Sequence, residues 1–293
     1  MSISEEERDR VRQSERTIDN LKRLYAVLFS LSFGIVAIES FKKIGAFADS
    51  TAYALGPLIL HMEITISFIF TAGLFYYQGD RFLDTVYAKQ PLAPTKPAHF
   101  GADYFVNVFT MVPFYLMAQA LGKEYTDAVG FTWYFLAYVY LIGQGLALLL
   151  IREIIGLKTK PVVPEDISAL KAFWFVMNSL MLFISVFAYF VWTYLTSSPC
   201  PTNYHAVGVS FVAVMGILIL LRDYLDFTRG WAILYPVQDA NVLKWPLPSL
   251  RRESARTGAW IAGLILIALT VGLVVVTGLW DLPTMAATCK VKS

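Results

Sequence analysis

Charge is what this chain has least of. Only 16% of its 293 residues are Asp, Glu, Lys or Arg, 57% are hydrophobic, and the mean hydropathy is +0.56. A soluble globular chain is roughly a quarter charged, so an ordinary soluble domain is excluded. Cysteine is nearly absent, at two residues, which rules out a disulfide-rich scaffold. Histidine is equally sparse: His61, His99 and His205 are all there are. No HExxH, GxSxG, phosphate-binding loop or dinucleotide fingerprint occurs, which argues against hydrolases and nucleotide-driven machines. The last apolar stretch holds no lysine and so cannot carry a retinal Schiff base. Basic residues are scattered rather than gathered in a stripe, and no nucleic-acid partner is expected.

What is present is a series of long uncharged stretches between short charged ones. A spanning helix needs about 20 apolar residues to cross roughly 30 Å of hydrocarbon. Seven segments qualify: Leu24–Ala46, Leu55–Tyr77, Tyr104–Gly122, Phe131–Ile151, Ala172–Leu195, His205–Leu221 and Ala259–Trp280. The expected fold class is therefore all-α, a polytopic integral membrane protein with seven transmembrane helices. Residues 1–23 form a charged cytoplasmic N-terminal segment, 24–280 the seven-helix domain and 281–293 an outer tail. The start, "SEEERDRVRQSER", has the charge spacing of a solvated helix rather than a signal peptide, so the first span is expected to do the targeting.

The charges orient the bundle. With the N-terminus inside and sides alternating, 19 of the 24 Lys and Arg fall on the inner side. That agrees with the excess of positive charge on cytoplasmic loops, and it points to a plasma or inner membrane with the N-terminus cytoplasmic and the C-terminus outside. Cys200 and Cys289 then share the outer, oxidising side, where a disulfide between them would tie the tail to the loop between helices five and six; two unpaired thiols are the alternative. Between helices six and seven, Arg222 to Gly258 reads as the longest inner loop, with Trp231, Trp245 and several prolines and arginines. Such a loop suits the inner membrane surface or plain solvent.

Helices two and six echo each other. Ser67, Phe68 and Gly73 match Ser210, Phe211 and Gly216 at equal spacing, and both segments end in an Arg–Asp pair followed by aromatic-Leu-Asp. Duplication would produce this, but so would the tendency of any inward-running helix to finish on aromatics and arginine at the headgroups, the account the composition favours.

Chemistry has few places to sit. In "LILHMEITISFIF" a glutamate, Glu63, lies about 10 Å inside the outer end of helix two. A carboxylate there costs several kcal/mol unless it faces a cavity, pairs or holds a proton. His61, two residues away, is rotated by about 200° on the helix, so the two need separate partners. Glu39, His61, Glu63 and His205 all belong to the outer half and form the candidate cation or proton group, with His61 and His205 the candidate metal pair and the one transmembrane pair for a haem. Asn107 and Pro113 in helix three, and Gln144 between Gly143 and Gly145 in helix four, form a second candidate, since a broken helix frees carbonyls along a pathway.

The leading expectation is a transport protein, a channel or secondary transporter for an ion or small solute, with Glu63, His61, Glu39, Gln144 and Asn107 as transport residues and no catalytic residue. A non-catalytic subunit or sensor is the second reading. It would dock a homo-oligomer or partner subunit through aromatics such as Tyr134, Phe135, Tyr138 and Tyr140. A membrane redox or lipid enzyme is the third. The lipid bilayer is a partner in every case.

Overall fold

A computed structural model describes residues 5–49, 55–83, 97–122, 128–159, 165–197, 204–234 and 244–278. All of its elements among these residues are helices: α1 (Glu5–Asp49), α2 (Leu55–Leu83), α3 (Pro97–Ala120), α4 (Ala128–Thr159), α5 (Glu165–Ser197), α6 (Tyr204–Leu234), α7 (Leu247–Leu250) and α8 (Glu253–Thr277). Each of the seven apolar segments lies on a separate long helix. Five helices, α1, α2, α4, α5 and α8, carry stretches long and apolar enough to cross a membrane, and the chain is a multi-pass helical membrane protein. Uncharged side chains around the full helix circumference make such segments stable in lipid, where every backbone N–H and C=O must be bonded within the helix.

The packing partners fix the direction of each helix. Tyr25 meets Phe75 while Ser40 meets His61, so α1 and α2 run antiparallel. Phe29 packs on Phe114 and Glu39 lies against Gly122, making α1 and α3 parallel. In α4 and α5, Phe135 pairs with Tyr189 and Glu153 with Lys171, which is antiparallel. Trp174 reaches Asp226 while Trp192 stacks on Phe211, so α5 and α6 are antiparallel as well. Glu63 beside Gly216 and Gln78 beside Asp226 align α2 parallel to α6. Asp166 with Arg251 and Ser179 beside Gly263 set the α7–α8 segment parallel to α5. Successive long helices therefore reverse direction throughout.

The interior is aromatic. One cluster joins Tyr25, Phe29, Phe33, Phe68, Phe75, Tyr76 and Phe114; another joins Phe135, Tyr189, Trp192 and Phe211. Lipid is as apolar as these rings, so shape and dispersion hold the helices together rather than exclusion of water. On the rim, α8 touches α5 closely: a Cβ on Gly263 would overlap the Phe175 ring, which is also packed 4.2 Å from Trp260. α8 ends at Gly278, whose φ of 64° closes the helix in the left-handed region, short of the expected Trp280.

Three expectations are corrected here. Helices α3 and α4 run unbroken through Pro113 and through Gly143-Gln144-Gly145. The hydrogen bond lost at one proline and the flexibility of two glycines are tolerated where neighbouring turns remain intact. The presumed inner loop from Arg222 is not a loop at its start, because α6 continues to Leu234. Further on, α7 buries Leu247 and Leu250 against Ile167, Leu170, Phe173 and Leu234. Finally, Tyr134, Phe135 and Tyr138 point inward, with at most 1% of their surface exposed, so they cannot dock another chain. Tyr140 alone of that set lies outside, at 45% exposed.

Candidate functional site

The site grows from one face of α2. Positions 63, 67, 71 and 78 fall within an arc of about 80° at 100° per residue, and they carry Glu63, Ser67, Thr71 and Gln78. On a mainly apolar helix these four form a polar stripe, and Glu63, Thr71 and Gln78 of it meet α6. At its N-terminal end the Glu63 carboxylate occupies the space that a side chain at Gly216 would take. The carboxylate oxygen Oε1 is buried and has no protein hydrogen-bond partner, and the same holds for Ser67 Oγ one turn below.

Further along the seam lies a buried ion cluster. Arg222 Nη1 meets Asp223 Oδ1 at 2.7 Å and Arg222 Nη2 meets Asp226 Oδ2 at 3.0 Å. The guanidinium also donates from Nε and Nη2 to Asn178 Oδ1 on α5, at 3.1 and 2.8 Å, and lies over the Phe75 ring at 5.1 Å. Thr71 Oγ1 donates to Asp223 Oδ2 at 2.6 Å. Asp226 Oδ1 accepts from Gln78 Nε2 at 2.8 Å and from Trp174 Nε1 at 2.6 Å. Arg222, Asp223 and Asp226 are at most 5% exposed. Three helices are thus joined through one cation and two carboxylates. The Tyr138 hydroxyl on α4 stands within electrostatic reach of all three charges and has no hydrogen-bond partner of its own. The planar five-donor fork of arginine is what allows a single side chain to serve two carboxylates and an amide.

The expected outer group divides between seams. His61 and Glu63 do face different ways, as their two-residue spacing requires. His61 Nε2 lies 3.3 Å from Ser40 Oγ on α1 and 3.4 Å from Thr65 Oγ1. Glu39 bonds to Lys42 at 2.7 Å and lies against Gly122. Of the three whose side chains are described, Glu63 alone belongs to the α2–α6 seam. The side chains of His205 and Asn107 lie outside the described residues, as do Cys200, Cys289 and their expected disulfide. Gln144 donates to Thr110 on α3 at 3.4 Å and keeps a buried, unpartnered Oε1. Among the described residues, no three His, Cys, Asp or Glu side chains converge as a metal site.

Sequence reasoning missed the Arg222 cluster, counting its arginine as a loop charge. The signal was in "LILLRDYLDF": Arg222, Asp223 and Asp226 share one side of the helix, and the apolar residues do not stop after them. No protein-family model, curated protein or solved structure matches the chain.

Proposed function

We propose that the protein is a membrane transport protein in which the α2–α6 seam carries an ion or small solute, with Glu63 as its outer coupling group. The observation that carries this reading is the polar stripe of α2, in which half-buried Glu63 is followed by buried Ser67, Thr71 and Gln78, with carboxylates at both ends of the seam. Ionisable groups inside membrane helices are costly and concentrate on ion and proton pathways. The strict reversal of successive helices supports seven crossings, and the 19-to-5 division of Lys and Arg supports an N-terminus on the cytoplasmic side of a plasma or inner membrane.

Proteoliposomes test the reading. Wild-type protein should move solute without a partner, and Glu63→Gln should reduce or redirect that flux. Folded wild-type protein that moves nothing would return Glu63 to a packing role and favour the partner-subunit reading.

A further inference from the structure

From the charge balance and hydrogen bonding of the α2–α6 seam, we propose that the transported species is the proton, and that Asp223 is the inner group on which it rests. This builds on the transport reading and names its substrate.

The seam is bridged by direct contacts. Thr71 reaches Asp223 at 2.6 Å and Gln78 reaches Asp226 at 2.8 Å, while Ile64, Phe68, Met215 and Ile219 beside them are fully buried. No ion-sized gap separates groups already in hydrogen-bond contact. Protons, by contrast, pass along such contacts by exchange. Glu63, Ser67 and Thr71 repeat every fourth residue, so their Cα atoms rise by about 6 Å at each step, a spacing over which water can link their side-chain oxygens. Glu63 Oε1 and Ser67 Oγ are buried polar atoms without a protein partner, and a bridging water would satisfy both.

The inner end is built to take one proton. Arg222 contributes one positive charge and Asp223 and Asp226 two negative ones, leaving the cluster one negative charge in excess in a buried setting. A single added proton makes it neutral. Asp226 is the less suitable acceptor, because Arg222, Gln78 and Trp174 all donate to its ionised form. Asp223 receives two donors, Arg222 and Thr71. The charged and titratable groups facing Asp223 are Arg222 and Asp226 on its own helix and Tyr138 from α4; α2 contributes Thr71, and α5 contributes Asn178 through Arg222. In the transfer, Thr71 passes its hydroxyl proton to Asp223 Oδ2 and takes a replacement from the water chain above it. The new O–H on Asp223 releases its hold on Arg222, which keeps Asp226 and Asn178. A water then takes the proton from Asp223 Oδ2 and carries it as hydronium toward the α6 C-terminal end, and Asp223, a carboxylate again, recovers its ion pair with Arg222.

The test is flux in phosphatidylcholine–phosphatidylglycerol vesicles, driven by a potassium–valinomycin potential and read with a pH-sensitive dye. Wild-type protein should carry protons at a rate unchanged when sodium replaces the remaining potassium or gluconate replaces chloride. Asp223→Asn should lower that rate by more than about tenfold. Thr71→Val gives the sharper readout: it removes a donor to the ionised carboxylate, so Asp223 should hold its proton to higher pH and the midpoint of the flux–pH profile should rise. Infrared difference spectra of folded protein should contain a protonated carboxyl band that Asp223→Asn abolishes, whatever its flux. Flux of sodium, potassium or chloride in place of protons would overturn the assignment while leaving the transport reading intact. Proton flux in which Asp223→Asn and Thr71→Val both behave as wild type would remove Asp223 from the path. Absence of all flux would sink the transport reading and this inference together.

Discussion

Two helices of this protein finish on nearly the same residues and put them to different uses. α2 closes with Asp80, Arg81, Phe82 and Leu83, and α6 carries Arg222, Asp223, Tyr224, Leu225 and Asp226. On α2, Arg81 is exposed, and Asp80 forms a partly exposed pair with Lys22 of α1 at 3.2 Å. On α6, the corresponding arginine and both aspartates are buried and bonded to α2 and α5. The glycines diverge too. Gly73 has open space where a side chain would start, whereas Gly216 leaves room for Glu63. The helices pack in parallel with Thr71 opposite Asp223, so echoed residues are not at equal depth in the bundle. Position along the helix decides whether an Arg–Asp pair stays at the exposed end of α2 or joins three helices inside.

Breaking the inner cluster should have the largest effect. Arg222→Met leaves two buried carboxylates without their cation, and loss of one partner from a buried pair costs about 3–5 kcal/mol. The variant should show a large fall in unfolding temperature in detergent, while Arg81→Met, at an exposed site, should unfold close to wild type. Gln78→Leu should come next: it removes one hydrogen bond to the Asp226 carboxylate, worth about 1.5–3 kcal/mol. The glycine pair separates stability from position. In Gly216→Ala the new methyl meets the movable end of Glu63, so the fold should survive and flux should fall. In Gly73→Ala, with open space, flux should stay unchanged and stability should rise by up to about 1 kcal/mol. Asp80→Asn should have the smallest effect, about 0–1 kcal/mol in the same unfolding assay, because its pair with Lys22 is partly solvated.

The helices were legible because hydrocarbon imposes length and composition directly on sequence. Each of the seven apolar stretches lies on its own long helix, and five of those helices have the length and hydropathy to cross a membrane. The angular separation of His61 and Glu63 was legible too, since helix geometry alone sets it, and each residue took its partner from a different neighbour. The Arg222 cluster was not. Hydropathy treats every arginine as a cost, and only the contacts from Asn178, Gln78 and Thr71, 44 to 152 residues away, reveal that the cost is offset. Pro113 and the Gly-Gln-Gly of α4 misled in the opposite sense: both mark weak points in an isolated helix, and both lie within continuous helices here. Of the four α4 aromatics expected to dock, three, Tyr134, Phe135 and Tyr138, turn inward; sequence does not say which side of an apolar helix faces its neighbours.

The central claim is that transport follows the α2–α6 seam. Glu39 supplies the control, a carboxylate toward the same end of the bundle that lies against Gly122 and bonds to Lys42, off the seam. The decisive measurement is flux through vesicles containing Glu63→Gln beside vesicles containing Glu39→Gln, at matched amounts of folded protein. The seam predicts that the first variant loses flux and the second keeps the wild-type rate. Equal rates in the two variants, or loss in Glu39→Gln alone, would contradict it.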